Sequence, residues 1–106
     1  MIKILFLDII LNRGVIAPEE LSAFLAALPI PAGGQEGVVL SGRMPVWAFA
    51  ALAHHFHGRP WVATFDPRLA GGVVVFSHTP EKSVGDVVVI DGAMKVDVEW
   101  GGTNAS

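Results

Sequence analysis

The chain has 106 residues, with seven Lys and Arg against ten Asp and Glu, a formal net charge of −3. That length supports one domain with one core and leaves no room for a second. An apolar share of 52% with 16% charged residues excludes disorder over most of the chain, and the absence of Cys excludes disulfides, thiolate chemistry and Cys-based metal centres.

Residues 2–11, IKILFLDIIL, predict a buried strand closed by Asn12-Arg13-Gly14. Residues 18–28, PEELSAFLAAL, predict a helix with Pro18 at its first position and two acids in its first turn. Leu21, Phe24, Leu25 and Leu28 form one apolar stripe along it, and Pro29 and Pro31 end it. A strand over 37–41 follows, then a tight Gly42-Arg43 loop and a second helix from Pro45 to about His57, stopped by Gly58 and Pro60. That helix is apolar nearly all round, which predicts that it is buried or lies at an interface. Strand 61–66, a turn over 67–72 and strand 73–77 read as a hairpin, with further strands over 87–90 and, at an edge, 94–100.

The order β-α-β-α-β with extra strands predicts a small Rossmann-like α/β domain over 1–100, with a mixed sheet and a C-terminal hairpin. A ferredoxin-like α+β fold is the alternative. Residues 101–106 read as a disordered tail. The apolar run Ile4-Leu5-Phe6-Leu7 ends at Asp8, too short for a signal-peptide core, and Pro29 and Pro31 break the longest uncharged stretch. A cytoplasmic protein with no membrane contact is expected. So few charges on a lone monomer would leave apolar surface wet, so a partner subunit is expected too.

Charge is unevenly spread. Residues 41–82 hold four bases against two acids, a net +2, together with all four histidines; the remainder is net −5. A central third that is basic and His-rich invites an anionic ligand. Within it, Ser41-Gly42-Arg43 falls at a strand's carboxyl end and just before a helix, where backbone N–H groups, a hydroxyl and a guanidinium can hold a phosphate. Equally, Gly42 can serve the turn alone and Arg43 can be a solvated charge. His54 and His57 share a helix face, as a metal or acid–base pair or as cations on the helix dipole. Asp66-Pro67-Arg68 reads as a turn in which Arg68 pairs Asp66, or as a carboxylate for metal or water beside an Arg for phosphate. His78 ends a strand; Trp47, one turn from Arg43, reads as core or as a platform under a base.

Ser41-Gly-Arg-Met-Pro-Val-Trp47, Leu52-Ala-His-His-Phe-His57, Val62-Ala-Thr-Phe-Asp-Pro-Arg-Leu69, Val73-Val-Val-Phe-Ser-His78 and Gly85-Asp86 run in order and with close spacing through residues 37–90. This series resembles a small family of CRISPR-associated proteins from type III systems, the third of the named ring-nuclease families. The resemblance implies a fold related to the CRISPR-associated Rossmann fold, and an enzyme that binds cyclic tetra-adenylate and cleaves it to linear di-adenylate, switching off the defence signal. It implies Mn²⁺ or another divalent metal, with some members also trimming RNA 3′ ends. By motif, His57, Asp66 and Arg68 match catalytic positions and His78 a helper. Ser41, Gly42 and Arg43 match ligand-binding positions, with Trp47 beside them, and Asp66 and His57 are the metal ligands expected. Homodimers are implied to associate head-to-tail into a tetramer or filament around the ligand.

A manganese-dependent exoribonuclease on single-stranded RNA and a module that captures the messenger without cutting it are the rival functions. Geometry adds one expectation. The second helix separates Arg43 from His57 by about 18–20 Å, and the following strand returns Asp66 and Arg68 to the Arg43 end. His57 and His78 are therefore expected at one end of the sheet, and Ser41, Arg43, Asp66 and Arg68 at the other.

Overall fold

From Ile4 to Ile9 burial alternates: Leu5, Leu7 and Ile9 are buried, and Ile4, Phe6 and Asp8 are half-buried. Such a strand uses both faces, one covered more deeply than the other. In this computed structural model it forms β1 (Ile4–Leu11). The structure describes residues 4–102; residues 2 and 3 of the expected first strand and 103–106 of the expected tail lie outside the described residues.

The predicted first helix divides in two. Pro18–Glu20 is a single 3₁₀ turn, and α1 covers only Leu21–Ala26. The Ala17 N–H donates to Glu20 Oε1 at 3.0 Å, which tightens this first turn. The apolar stripe survives the division, since Phe24 is fully buried and Leu21, Leu25 and Leu28 pack against the same core. β2 is Gly37–Gly42, and α2 is Val46–His55 with Pro45 as its N-cap. β3 (Trp61–Asp66) and β4 (Gly71–Ser77) form the expected hairpin, with a register shift between Val62 and Ala63. β5 is Val87–Val89, and β6 is Met94–Trp100.

These strands make one sheet in the order β5-β4-β3-β2-β1-β6. β6, β1, β2 and β3 are parallel, while β4 runs against both of its neighbours. The fold is thus a small Rossmann-like α/β domain with a mixed sheet. Adjacent parallel β1, β2 and β3 exclude the ferredoxin-like alternative. Because β1, β2 and β3 step across the sheet in one direction, two right-handed crossovers put both helices on the same face. Phe24 of α1 and Leu52 of α2, with Phe56 just beyond it, accordingly share one core with Leu5, Leu7, Ile9, Val38, Leu40 and Val62.

The opposite face carries no helix. Its own cluster is Val39, Trp61, Ala63, Val74 and Val88, flanked by Phe6 and Phe65, whose rings meet edge to face at 5.4 Å. Trp61 lies across Gly37, where any Cβ would collide with the indole. Lys82 Nζ sits 6.0 Å from the Trp61 ring, so the loop before β5 shields this face in part. Arg59 is the one buried charged residue among the described residues. It donates to Glu36 at 2.9 Å and to the Pro31 carbonyl at 2.6 Å, tying the 31–36 loop to the end of α2. α2 is less enclosed than its composition suggests: Ala48 and Leu52 are buried, but Val46 is 84% exposed. No helix among the described residues is long and apolar enough to cross a membrane.

Candidate functional site

At the carboxyl ends of β1, β2 and β3 the backbone opens into a cleft of about 600 Å³, lined among others by Asp8, Ser41, Gly42, Arg43, Phe65 and Pro67. Cleft formation follows from the strand ends themselves, where parallel strands stop at different heights before their crossovers. Gly42 is required for its shape. Its φ is +146°, and a Cβ there would stand 2.7 Å from the Ile9 carbonyl oxygen. The turn so formed leaves Arg43 exposed, with no hydrogen-bond or ion-pair partner among the described residues. A second cleft of about 420 Å³, lined by Val15, Met44 and Pro45, shares Leu11, Gly14 and Arg43 with the first.

Asp66 ends β3 at the same end of the sheet, where it folds its turn around itself. Its Oδ1 accepts from the Arg68 backbone N–H at 2.9 Å, and its Oδ2 from the Arg68 guanidinium at 3.1 Å. Hydrogen bonds from the Arg68 side chain, then from its backbone, hold the Asp66 carboxyl below the usual carboxylate range. The same pair raises the Arg68 guanidinium further. The turn-chemistry reading of Asp66-Pro67-Arg68, with Arg68 on Asp66, is therefore what the structure holds. The guanidinium remains 89% exposed, so it faces solvent as well as its partner.

At the other end of β3, His78 reaches back to the end of α2. Its Nε2 lies 2.9 Å from the His57 carbonyl, and its N–H donates to the Pro60 carbonyl at 2.7 Å. His57 Nδ1 lies 3.1 Å from the His54 carbonyl, and the rings of His54 and His57 stack at 5.4 Å. A carbonyl only accepts, so His57 carries its proton on Nδ1 and His78 on Nε2. His57 Nε2 and His78 Nδ1 are left as the nitrogens able to take a proton. His55 turns away, edge-on to Phe56, and burial lowers its affinity for a proton.

The candidate residues thus fall into two groups. Ser41, Gly42 and Arg43 gather at one end with the Asp66–Arg68 turn, and His57 joins His78 at the opposite end. Six residues of β3 at about 3.3 Å each put roughly 17 Å between them. One chain therefore does not hold a single ion with both His57 and Asp66, which corrects that ligand pair within one chain. No three His, Asp or Glu side chains converge as a metal site among the described residues. Trp47 is 36% exposed on the first turn of α2 and is absent from the buried cluster, so of its two readings the core one is corrected.

Two lining residues escape a reading of the sequence. Asp8 there is only the charge that interrupts an apolar run, and Phe65 only a strand hydrophobe. An acid inside an otherwise apolar strand was the available signal for Asp8.

The sequence model of a family described as "CRISPR-associated protein (Cas_csx3)" matches residues 9–89. A protein of Aquifex aeolicus (strain VF5), described only as an uncharacterized protein, is 51% identical over 55 residues, which cover 52% of this chain. The match spans 50% of that relative's length, so about half of the relative has no counterpart in the aligned region.

Proposed function

The chain belongs to the Cas_csx3 family of CRISPR-associated proteins, and from that premise we propose that it is a ring nuclease, binding cyclic tetra-adenylate and cleaving it to linear di-adenylate to end type III CRISPR signalling in the cytoplasm. The observation that carries this reading is the cleft in which Arg43 stands, beside Ser41 and Gly42, without a partner among the described residues. An uncommitted guanidinium, a hydroxyl and backbone exposed at a glycine turn suit a phosphodiester. Four phosphates in the ring call for more than one such cradle, which copies of the chain supply.

Cleavage of an RNA linkage requires proton transfer at the attacking and leaving oxygens, and positive charge at phosphorus. Arg68 supplies charge that persists at every physiological pH. Asp66, held ionised by Arg68, enters as an acceptor and not as an acid. His57 offers Nε2 to take up or return a proton, with His78 fastening the carbonyl of the same residue. These groups meet on one phosphate only when the Asp66 end of one copy faces the His57 end of the next, a head-to-tail association of homodimers into a tetramer or filament. Manganese dependence belongs to this proposal for the assembled chains alone, since the donors of a single chain do not fit one shared ion.

Incubation of the protein with radiolabelled cyclic tetra-adenylate, with Mn²⁺ and separately with chelator, tests the reading. Linear di-adenylate with Mn²⁺ and none in chelator is the expected result. Ready turnover in chelator would sink the metal requirement. An intact ring beside a degraded linear oligoadenylate would replace ring cleavage with exoribonuclease activity, and binding without products would leave a capture module.

A further inference from the structure

The cleft beside Arg43 holds one group that an anionic ligand does not explain. Asp8 lines it, and the sheet register sets Asp8 directly beside Ser41 on the neighbouring strand. Phosphate and carboxylate repel each other, so a site built for phosphate alone has no use for an acid at that position. Resting on the phosphodiester reading of this cleft, we propose that Asp8 accepts a hydrogen bond from a ribose 2′-hydroxyl of the bound ligand and makes the site select RNA over DNA.

Three observations support this. First, Asp8 is poorly satisfied within the protein. Among the described residues no donor lies within hydrogen-bond distance of its carboxylate, and its nearest cation, Lys95, stands 3.9 Å away. Lys95 is moreover shared with Asp97, at 3.7 Å. Second, Asp8 is half-buried, with 29% of its side chain exposed, and Phe6 and Ile10 precede and follow it on the same face of β1. Across the sheet it stands between Ser41 and Asp97, and a carboxylate partly withdrawn from water beside another acid gains more from a single donor than one in open water. Third, the neighbour across the strand gap of about 4.8 Å is Ser41, the first residue of the phosphate cradle. On the phosphodiester reading a donor that reaches Asp8 therefore lies close to a phosphate. In an oligoadenylate the 2′-hydroxyl adjoins the 3′-linked phosphate, whereas the adenine amine lies at the far edge of the base.

A site organised around a hydroxyl rejects the analogue that lacks it, because its acceptor is left without a partner. The test compares dissociation constants, measured in chelator, for cyclic tetra-adenylate and its all-2′-deoxy counterpart. Wild-type protein is expected to prefer the ribose ring by at least about ten-fold, in line with a charge-assisted hydrogen bond. Asp8→Ala is expected to abolish that preference, and Asp8→Asn, which keeps an acceptor oxygen, to retain part of it. Lys95→Ala is the control for a purely structural role of the ion pair, and is expected to keep the wild-type ratio. A wild-type protein that binds both rings equally overturns the assignment, as does a full preference in both Asp8 variants. So does a loss of preference in Lys95→Ala equal to that in Asp8→Ala. Wild-type protein that binds neither ring overturns the phosphodiester reading itself, a separate and recognisable result.

Discussion

Gly42 is where the cleft depends most on a single atom's absence. Its backbone passes within a Cβ's reach of the Ile9 carbonyl and adopts a φ that side chains rarely tolerate. Gly42→Ala must either strain this turn or push β2 away from β1, and a backbone forced into such a region costs about 1–3 kcal/mol. The expected outcome is a urea midpoint lowered accordingly, together with weaker ring binding, because Ser41 and Arg43 sit on either side of the displaced residue. An unchanged midpoint would show that the turn relaxes freely. At this scale the sequence was informative about Ser41, Gly42 and Arg43, whose residue types carry turn and phosphate chemistry. It was silent about Asp8, whose place beside the cleft comes from a register partner 33 positions along the chain, and about the exposure of Trp47, which an apolar helix suggests is buried.

Turns and helices show the same division between local and long-range information. Boundaries written in Pro and Gly were legible: Pro45 caps α2, and β3 and β4 flank the turn read from Asp66-Pro67. The breaking of residues 18–28 into a 3₁₀ turn and a short α1 was not, since apolar spacing does not distinguish the two helical types over so few residues. That turn between β3 and β4 also stores strain. Ala70 has a φ of +52°, the left-handed region that disfavours a Cβ by roughly 1–2 kcal/mol. Ala70→Gly removes that cost while adding some freedom to the unfolded chain, for a net gain of about 0.5–1 kcal/mol. Calorimetry should find a melting temperature higher by about 2–6 °C for a domain of this size. A lower melting temperature would mean that the Ala70 methyl contributes contacts that outweigh its backbone strain.

For the whole molecule, what matters is that β3 runs the full height of the sheet between two sets of chemically competent residues. Mixing inactive His57→Ala and Asp66→Ala proteins tests whether those sets cooperate across chains. Recovered ring cleavage is expected, because an intact His57 end of one protein can face an intact Asp66 end of the other. Folded, exchange-competent variants that stay inactive in every ratio would contradict a shared site. Opposed ends also have a consequence for quantity. On the proposed head-to-tail association each chain brings two halves and no whole, so an open stack contains fewer complete sites than copies, and the missing fraction grows as the stack shortens. On that reading turnover per mole of protein rises with how much protein there is, so total turnover rises faster than in proportion to its abundance. If the proposed activity holds, a cell that makes little of the protein keeps its alarm signal intact and one that makes more silences it, with the threshold set by the strength of the contact between copies.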